Sequence, residues 1–142
     1  MADNLSIFFN NQCFTFPVRV YYEDTDAGGV VYHARYLHFF ERARTEYLRT
    51  LNFSQQSLLQ EQQVAFVVKT MSIDYCIPAK LDDYLIVETE ITAVKGATIL
   101  FEQRLVRETV VLSKATVKVA CVDLGKMKPV AIPEELKAAF LK

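Results

Sequence analysis

The chain has 142 residues, with 16 basic against 17 acidic side chains and a net charge of −1. That length suits one domain spanning residues 1–142 with a real core, and the charge balance leaves no basic footprint for nucleic acid and no acidic tail. Cys13, Cys76 and Cys121 are odd in number and widely spaced, with no CxxC pair, which fits small hydrophobes in a reducing compartment rather than a disulfide framework or a metal site.

Residues 1–13 show no clear period and are expected to be a loose N-terminal extension, with Ile7, Phe8 and Phe9 able to pack. The start, MADNLSIFF, places an Asp where a signal peptide carries positive charge. The longest apolar run, Val64 to Val68, is far too short to cross a bilayer. A cytoplasmic protein without a transmembrane segment is the expectation. Phe14 to Tyr22 alternates and is rich in β-formers, which predicts a strand. Pro17 cannot donate to a ladder and so implies an edge position or the strand's start.

The stretch YYEDTDAGGVVYHARY, Tyr21 to Tyr36, gathers three carboxylates, two adjacent glycines and a histidine where this strand hands over to a long helix. Carboxylates beside a Gly-Gly pair suit a loop whose backbone approaches another group closely. The helix that follows presents unpaired N–H groups and the positive end of its dipole to that loop. A carboxylate and a set of oriented donors are together the two halves of a hydrolytic site for a carbonyl. The plainer alternative is a turn in which one Asp caps the helix. A calcium loop counted from Asp24 fails, because its twelfth position is Arg35 instead of Glu.

The helix is predicted from Tyr32 or His33 to about Leu51. Tyr36, Leu37, Phe39, Phe40, Ala43, Tyr47, Leu48 and Leu51 fill one arc of roughly 180° on its wheel. An arc this wide suits a helix lying in the concave face of a curved sheet. Arg44 falls inside the arc, with Glu41 at its edge one turn earlier. The two are expected either to pair, with Arg44 snorkelling, or to face a subunit contact or the site. A short helix capped by Ser54, with Leu58 and Leu59 facing in, is predicted next.

From Ala65 the pattern changes to strands. VAFVVKTMSIDYC reads as one long strand and IPAKLDD as a loop. A strand through Leu85 to Ala93 follows, then a turn at Lys95-Gly96, then ATILFEQRLVRE and VLSKATVKVACVD. In the last of these Ala115, Val117, Val119 and Cys121 share one face. Pro133 opens a short C-terminal helix. Long strands on tight turns imply an antiparallel sheet, and the segregated helices make the class α+β.

Several pieces carry a resemblance: FPVRVYYEDTDAGGVVYHARY, FFERARTEYLR, PAKLDD, and VACVD with KMKP after it, together spanning Phe16 to Pro129. They resemble the hotdog-fold acyl-CoA thioesterases of the 4-hydroxybenzoyl-CoA thioesterase group, and within them the Tol–Pal-cluster-associated acyl-CoA thioesterases of Gram-negative bacteria. The resemblance implies a long central helix wrapped by a five-stranded antiparallel sheet. It also implies a homo-oligomer, a dimer or a dimer of dimers, with sites between subunits. By motif, Asp26 is then the catalytic carboxylate, as nucleophile or general base, and the backbone N–H of His33 polarises the thioester carbonyl. Gly29, Val30, Tyr32, Glu41 and Lys95 are the implied substrate contacts, Lys95 being what survives of a basic run that meets the phosphates of CoA.

The resemblance implies acyl-CoA as substrate, acyl carrier protein as a possible alternative carrier, and no cofactor. Thioesters suit such equipment, because their carbonyl gains little resonance from sulfur and the thiolate leaves without protonation. There is no GxSxG elbow and no HExxH. Two competing functions stand beside this. One is a hotdog dehydratase or hydratase with His33 and Glu41 in its roles, although its proline- and glycine-flanked histidine segment is not visible. The other is a non-catalytic acyl-carrier-binding module, whose sign would be loss of the acidic residue at 26.

Overall fold

The structure is a computed structural model, and it describes residues 13–51, 56, 60 and 63–140. The expected N-terminal extension, except Cys13, and most of the short helix expected after Ser54 lie outside the described residues. In chain order the elements are β1 (Phe14–Arg19), a 3-10 turn (Tyr22–Asp24), α1 (His33–Thr50), β2 (Val64–Tyr75), β3 (Tyr84–Lys95), β4 (Thr98–Arg107), β5 (Val110–Asp123), β6 (Lys128–Pro129) and α2 (Glu134–Phe140).

Five antiparallel strands run β1-β3-β4-β5-β2, and the two-residue β6, which the sequence did not suggest, pairs with β5. β1 is an edge strand, which is why Pro17 is tolerated there: it pairs with Ile86 on one side only. β1 ends at Arg19, earlier than the predicted Tyr22, because local side-chain bonds offer the backbone a better alternative. The Asp24 carboxylate accepts the Tyr21 N–H at 2.9 Å, and the Thr25 hydroxyl donates to the Tyr22 carbonyl at 2.7 Å.

The inner face of the sheet packs on α1. Leu85 and Val87 of β3, Ile99, Phe101 and Leu105 of β4, and Ala115, Val117, Val119 and Cys121 of β5 are buried with Tyr36, Phe39, Phe40, Ala43 and Leu48 of the helix. Leu37, placed in the apolar arc by the wheel, is 42% exposed. The helix is thus sunk into the sheet on a narrower front than predicted. Leu136 and Phe140 of α2 join the same cluster.

The expected direct pairing of Arg44 with Glu41 is not formed. Arg44 is buried and its Nη1 donates to Gln103 Oε1 at 2.9 Å, while Gln103 Nε2 donates to Thr89 Oγ1 and to the Phe40 carbonyl. Glu41 is exposed and accepts from the Thr45 hydroxyl at 2.8 Å. Burial of Arg44 on the sheet side of the helix brings it to the Gln103 amide, while Glu41 stays at the surface with access to water.

Candidate active site

The segment between β1 and α1 holds two aspartates with opposite surroundings. Asp24 is 6% exposed. Its carboxylate takes the Tyr21 N–H and faces Arg35 Nε at 3.4 Å, and its carbonyl accepts the Tyr32 N–H. Asp24 therefore ties the start of the loop to the first turn of the helix. Asp26 is exposed, and its Oδ1 accepts the Gly28 N–H at 2.8 Å, a two-residue Asx turn. The Asp26 N–H donates to the Val30 carbonyl and its carbonyl accepts from Gly29, whose φ of +81° explains the glycine.

No side chain caps α1. The preceding residue, Tyr32, is extended (φ −62°, ψ 133°), and the first turn contains no acidic residue. Among the described residues the N–H groups of His33 and Ala34 thus have no acceptor, whereas that of Arg35 donates to the Tyr32 carbonyl at 2.9 Å. His33, the first residue of the helix, lines a cleft of about 480 Å³ together with Asp26, Val30, Tyr32, Tyr36 and Tyr75. The carboxylate and the helix N-terminus share one wall. The plain-turn alternative holds for Asp24, which is structural, but its capping role goes to the Tyr21 N–H and not to α1.

A second loop, residues 76–83, closes the other side. Val31 donates to the Ala79 carbonyl at 2.8 Å, Leu81 donates to the Gly29 carbonyl at 3.2 Å, and Val30 forms a bridge with Lys80. Tyr36, one turn into α1, accepts the buried Ala79 N–H at its hydroxyl (3.0 Å). Burial pushes the Tyr36 phenol above its usual pKa. Tyr75 stacks edge-on against Tyr36 and His33 and donates its hydroxyl to the His33 carbonyl at 3.1 Å. Asp83 anchors the loop's end by accepting from Lys80 N–H and Arg107. Sequence reasoning read IPAKLDD as a loop, Tyr36 as part of the helix's apolar arc and Tyr75 as part of a strand, and brought none of them to the site. Their pairing spans about forty residues of chain and carries no local period.

Of the sequence-predicted residues, Asp26, Val30, Tyr32 and His33 line this cleft, and Gly29, at φ +81°, makes the turn between Asp26 and Val30. Glu41 lies eight residues beyond His33, about 12 Å along the helix, and lines a different cavity. Lys95 ends β3, whose other end, Tyr84, adjoins the 76–83 loop. About 36 Å of strand separates it from the cleft, so one protomer does not bring Lys95 to Asp26. Among the described residues no cluster of His, Cys, Asp and Glu could hold a metal ion, and no helix is long and apolar enough to cross a membrane.

Comparison with known proteins adds to this geometry. A family model described as the thioesterase-like superfamily matches residues 20–140. The chain is 84% identical over 127 residues to the acyl-CoA thioesterase YbgC of Haemophilus influenzae, covering 89% of this chain and 93% of that one. It is 56% identical over 132 residues to the acyl-CoA thioester hydrolase YbgC of Escherichia coli O157:H7, covering 92% and 98%. The crystal structure of a probable thioesterase from Bartonella henselae superposes with a TM-score of 0.81 at 39% identity, covering 85% of this chain and 99% of that one.

Proposed function

The chain belongs to the thioesterase-like superfamily, among hotdog-fold acyl-CoA thioesterases, and from that premise we propose that it hydrolyses acyl-CoA thioesters at the Asp26 cleft. The observation that carries the assignment of the site is the shared wall. An exposed carboxylate with one oxygen free of protein donors stands beside an uncapped helix N-terminus, in a cleft open enough for a thioester.

The His33 N–H and the positive end of α1 draw charge onto the carbonyl oxygen as it becomes an oxyanion. Asp26 either attacks the carbonyl carbon, giving an anhydride that water then opens, or removes a proton from the attacking water. In both routes the C–S bond breaks, CoA leaves as the thiolate and one water is consumed. Its oxygen ends in the released acid in the general-base route, and in the anhydride route in the acid or in Asp26 according to which carbonyl the water attacks. His33 contributes through its backbone; its ring, between Tyr32 and Tyr75, is a wall of the cleft.

A second copy of the chain completes the molecule in this reading. β2 is bonded on one side only, by β5, and along its free edge Val67 and Val68 are 45% and 50% exposed. Antiparallel pairing of two β2 edges would satisfy the open backbone groups there and flank these side chains on each face of the sheet. Such a homodimer, working in the cytoplasm, is the form proposed for the enzyme.

The test is Asp26→Asn, which keeps size and hydrogen-bond acceptance but removes charge and basicity. It should lower kcat at least about 10²-fold with Tm and CoA-ester binding nearly unchanged. Near-normal turnover by that variant would remove Asp26 from the mechanism.

A further inference from the structure

A second opening lies against the other half of α1. It is a cavity of about 100 Å³, lined by Glu41, Arg44, Phe66, Val68, Phe101 and Val119 among others, between the helix and edge strand β2. A space of this size holds roughly three waters, so it fits an end group of a few heavy atoms and not a whole ligand. Its walls are apolar except on the helix side. There Arg44 is 8% exposed, and its one hydrogen bond goes to the neutral amide oxygen of Gln103.

Among the described residues no carboxylate lies within ion-pair distance of Arg44. Glu41 sits at the mouth, exposed and engaged with Thr45, where solvent screens its charge. Burial disfavours the charged guanidinium and lowers its pKa, with Glu41 opposing. Among the described residues no fully buried side-chain nitrogen lacks an acceptor, so the Arg44 nitrogens without a protein acceptor keep some accessibility, and Arg44 lines the cavity. A buried cation with a single neutral acceptor is a costly arrangement, which an anion placed in the cavity would relieve.

β2 connects this cavity to the chemistry. Phe66 and Val68 near its start line the Arg44 cavity, and Tyr75 at its end lines the Asp26 cleft. Within one chain the two are far apart, since eleven residues of α1 from His33 to Arg44 rise about 16 Å. Antiparallel pairing of two β2 edges about their middle reverses that. It sets each chain's Arg44 cavity beside its partner's Asp26 cleft.

We propose that this cavity receives the distal end of the acyl group and that Arg44 selects acyl groups ending in a carboxylate, so that the preferred substrates are mono-CoA esters of short dicarboxylic acids. The proposal rests on the thioesterase reading and on the β2 dimer. The guanidinium would offer charge-assisted bonds to the carboxylate, while a methyl end would leave it unpaired.

The test is calorimetric binding to Asp26→Asn protein, in which turnover plays no part. Succinyl-, glutaryl- and adipyl-CoA are compared with butyryl-, valeryl- and hexanoyl-CoA. At least one carboxylate-ended ester should bind about tenfold more tightly than its methyl-ended counterpart. Adding Arg44→Met should erase the difference and Arg44→Lys should keep part of it, with circular dichroism confirming that each is folded. Equal affinities within all three pairs would overturn the proposal even if the Arg44 variants did not fold. So would a preference that survives in folded Arg44→Met protein. Turnover by the wild-type enzyme is measured separately: its absence would refute the thioesterase reading and leave the binding result to decide the Arg44 subsite.

Discussion

At the scale of single residues, the proposed chemistry divides between a side chain and a main-chain group, and the two can be removed independently. Proline at the first helical position has a φ suited to the helix and lacks only the N–H. Tyr32 before it is already in the extended conformation that a following proline requires. His33→Pro should therefore leave circular dichroism and Tm close to wild type while lowering kcat about 10²-fold, on the scale of one lost oxyanion donor. His33→Ala keeps the N–H and should lose far less, and equal losses in the two variants would place the role in the ring. The aspartates separate in the same way. Asp24→Asn gives up the Arg35 ion pair at a buried position, so it should destabilise by about 1–2 kcal/mol in denaturant titrations. Asp26 is exposed and should show no comparable loss of stability. The sequence placed both carboxylates in one motif, but spacing carries no information on which one the fold buries. That is decided by Arg35 and by the turn of Tyr22–Asp24.

At the scale of elements, α1 and the strands were legible because their apolar residues repeat at the period of the element they form. α1 runs from His33 to Thr50 against a predicted end near Leu51, and β5 buries Ala115, Val117, Val119 and Cys121 as its alternation implies. The contacts that hold elements together were not legible. Gln103 lies 59 residues from Arg44 and Ala79 lies 43 from Tyr36, and no local pattern announces either. Tyr36 gives this element-level contact a measurable signature. Its phenol has a raised pKa in the fold through burial, so the unfolded chain loses that proton first as pH rises. The contribution is intact below the ordinary tyrosine value near 10 and declines above it. Tyr36→Phe should flatten the fall of Tm in that alkaline range. It should also loosen the 76–83 loop and lower kcat at neutral pH, because the Ala79 N–H loses its acceptor. An unchanged alkaline slope would show that Tyr36 ionises no differently in the two states.

At the scale of the whole molecule, the two sheet edges differ. β1 is six residues long and carries Pro17, whereas β2 is twelve residues long and exposes Val67 and Val68. The second is the edge that the proposed dimer would cover. Val67→Glu, outside the Arg44 cavity, places a like charge from each chain at that junction; sedimentation should show monomers, and their thioesterase activity should be lost with the dimer. A fully active monomer at assay concentration would refute the shared edge. The cleft itself has a history within each molecule. Its walls come from residues 24–36 and 75–83, which meet through bonds that skip some forty to fifty residues of chain, such as Tyr36 to Ala79, Val31 to Ala79 and Leu81 to Gly29. A helix forms in well under a millisecond, but contacts so distant in sequence must wait for the intervening chain to be ordered. A chain whose two segments have not met has no cleft, whatever its helix has done. In the proposed reading, thioester hydrolysis therefore depends on the completed fold and not on the motif alone.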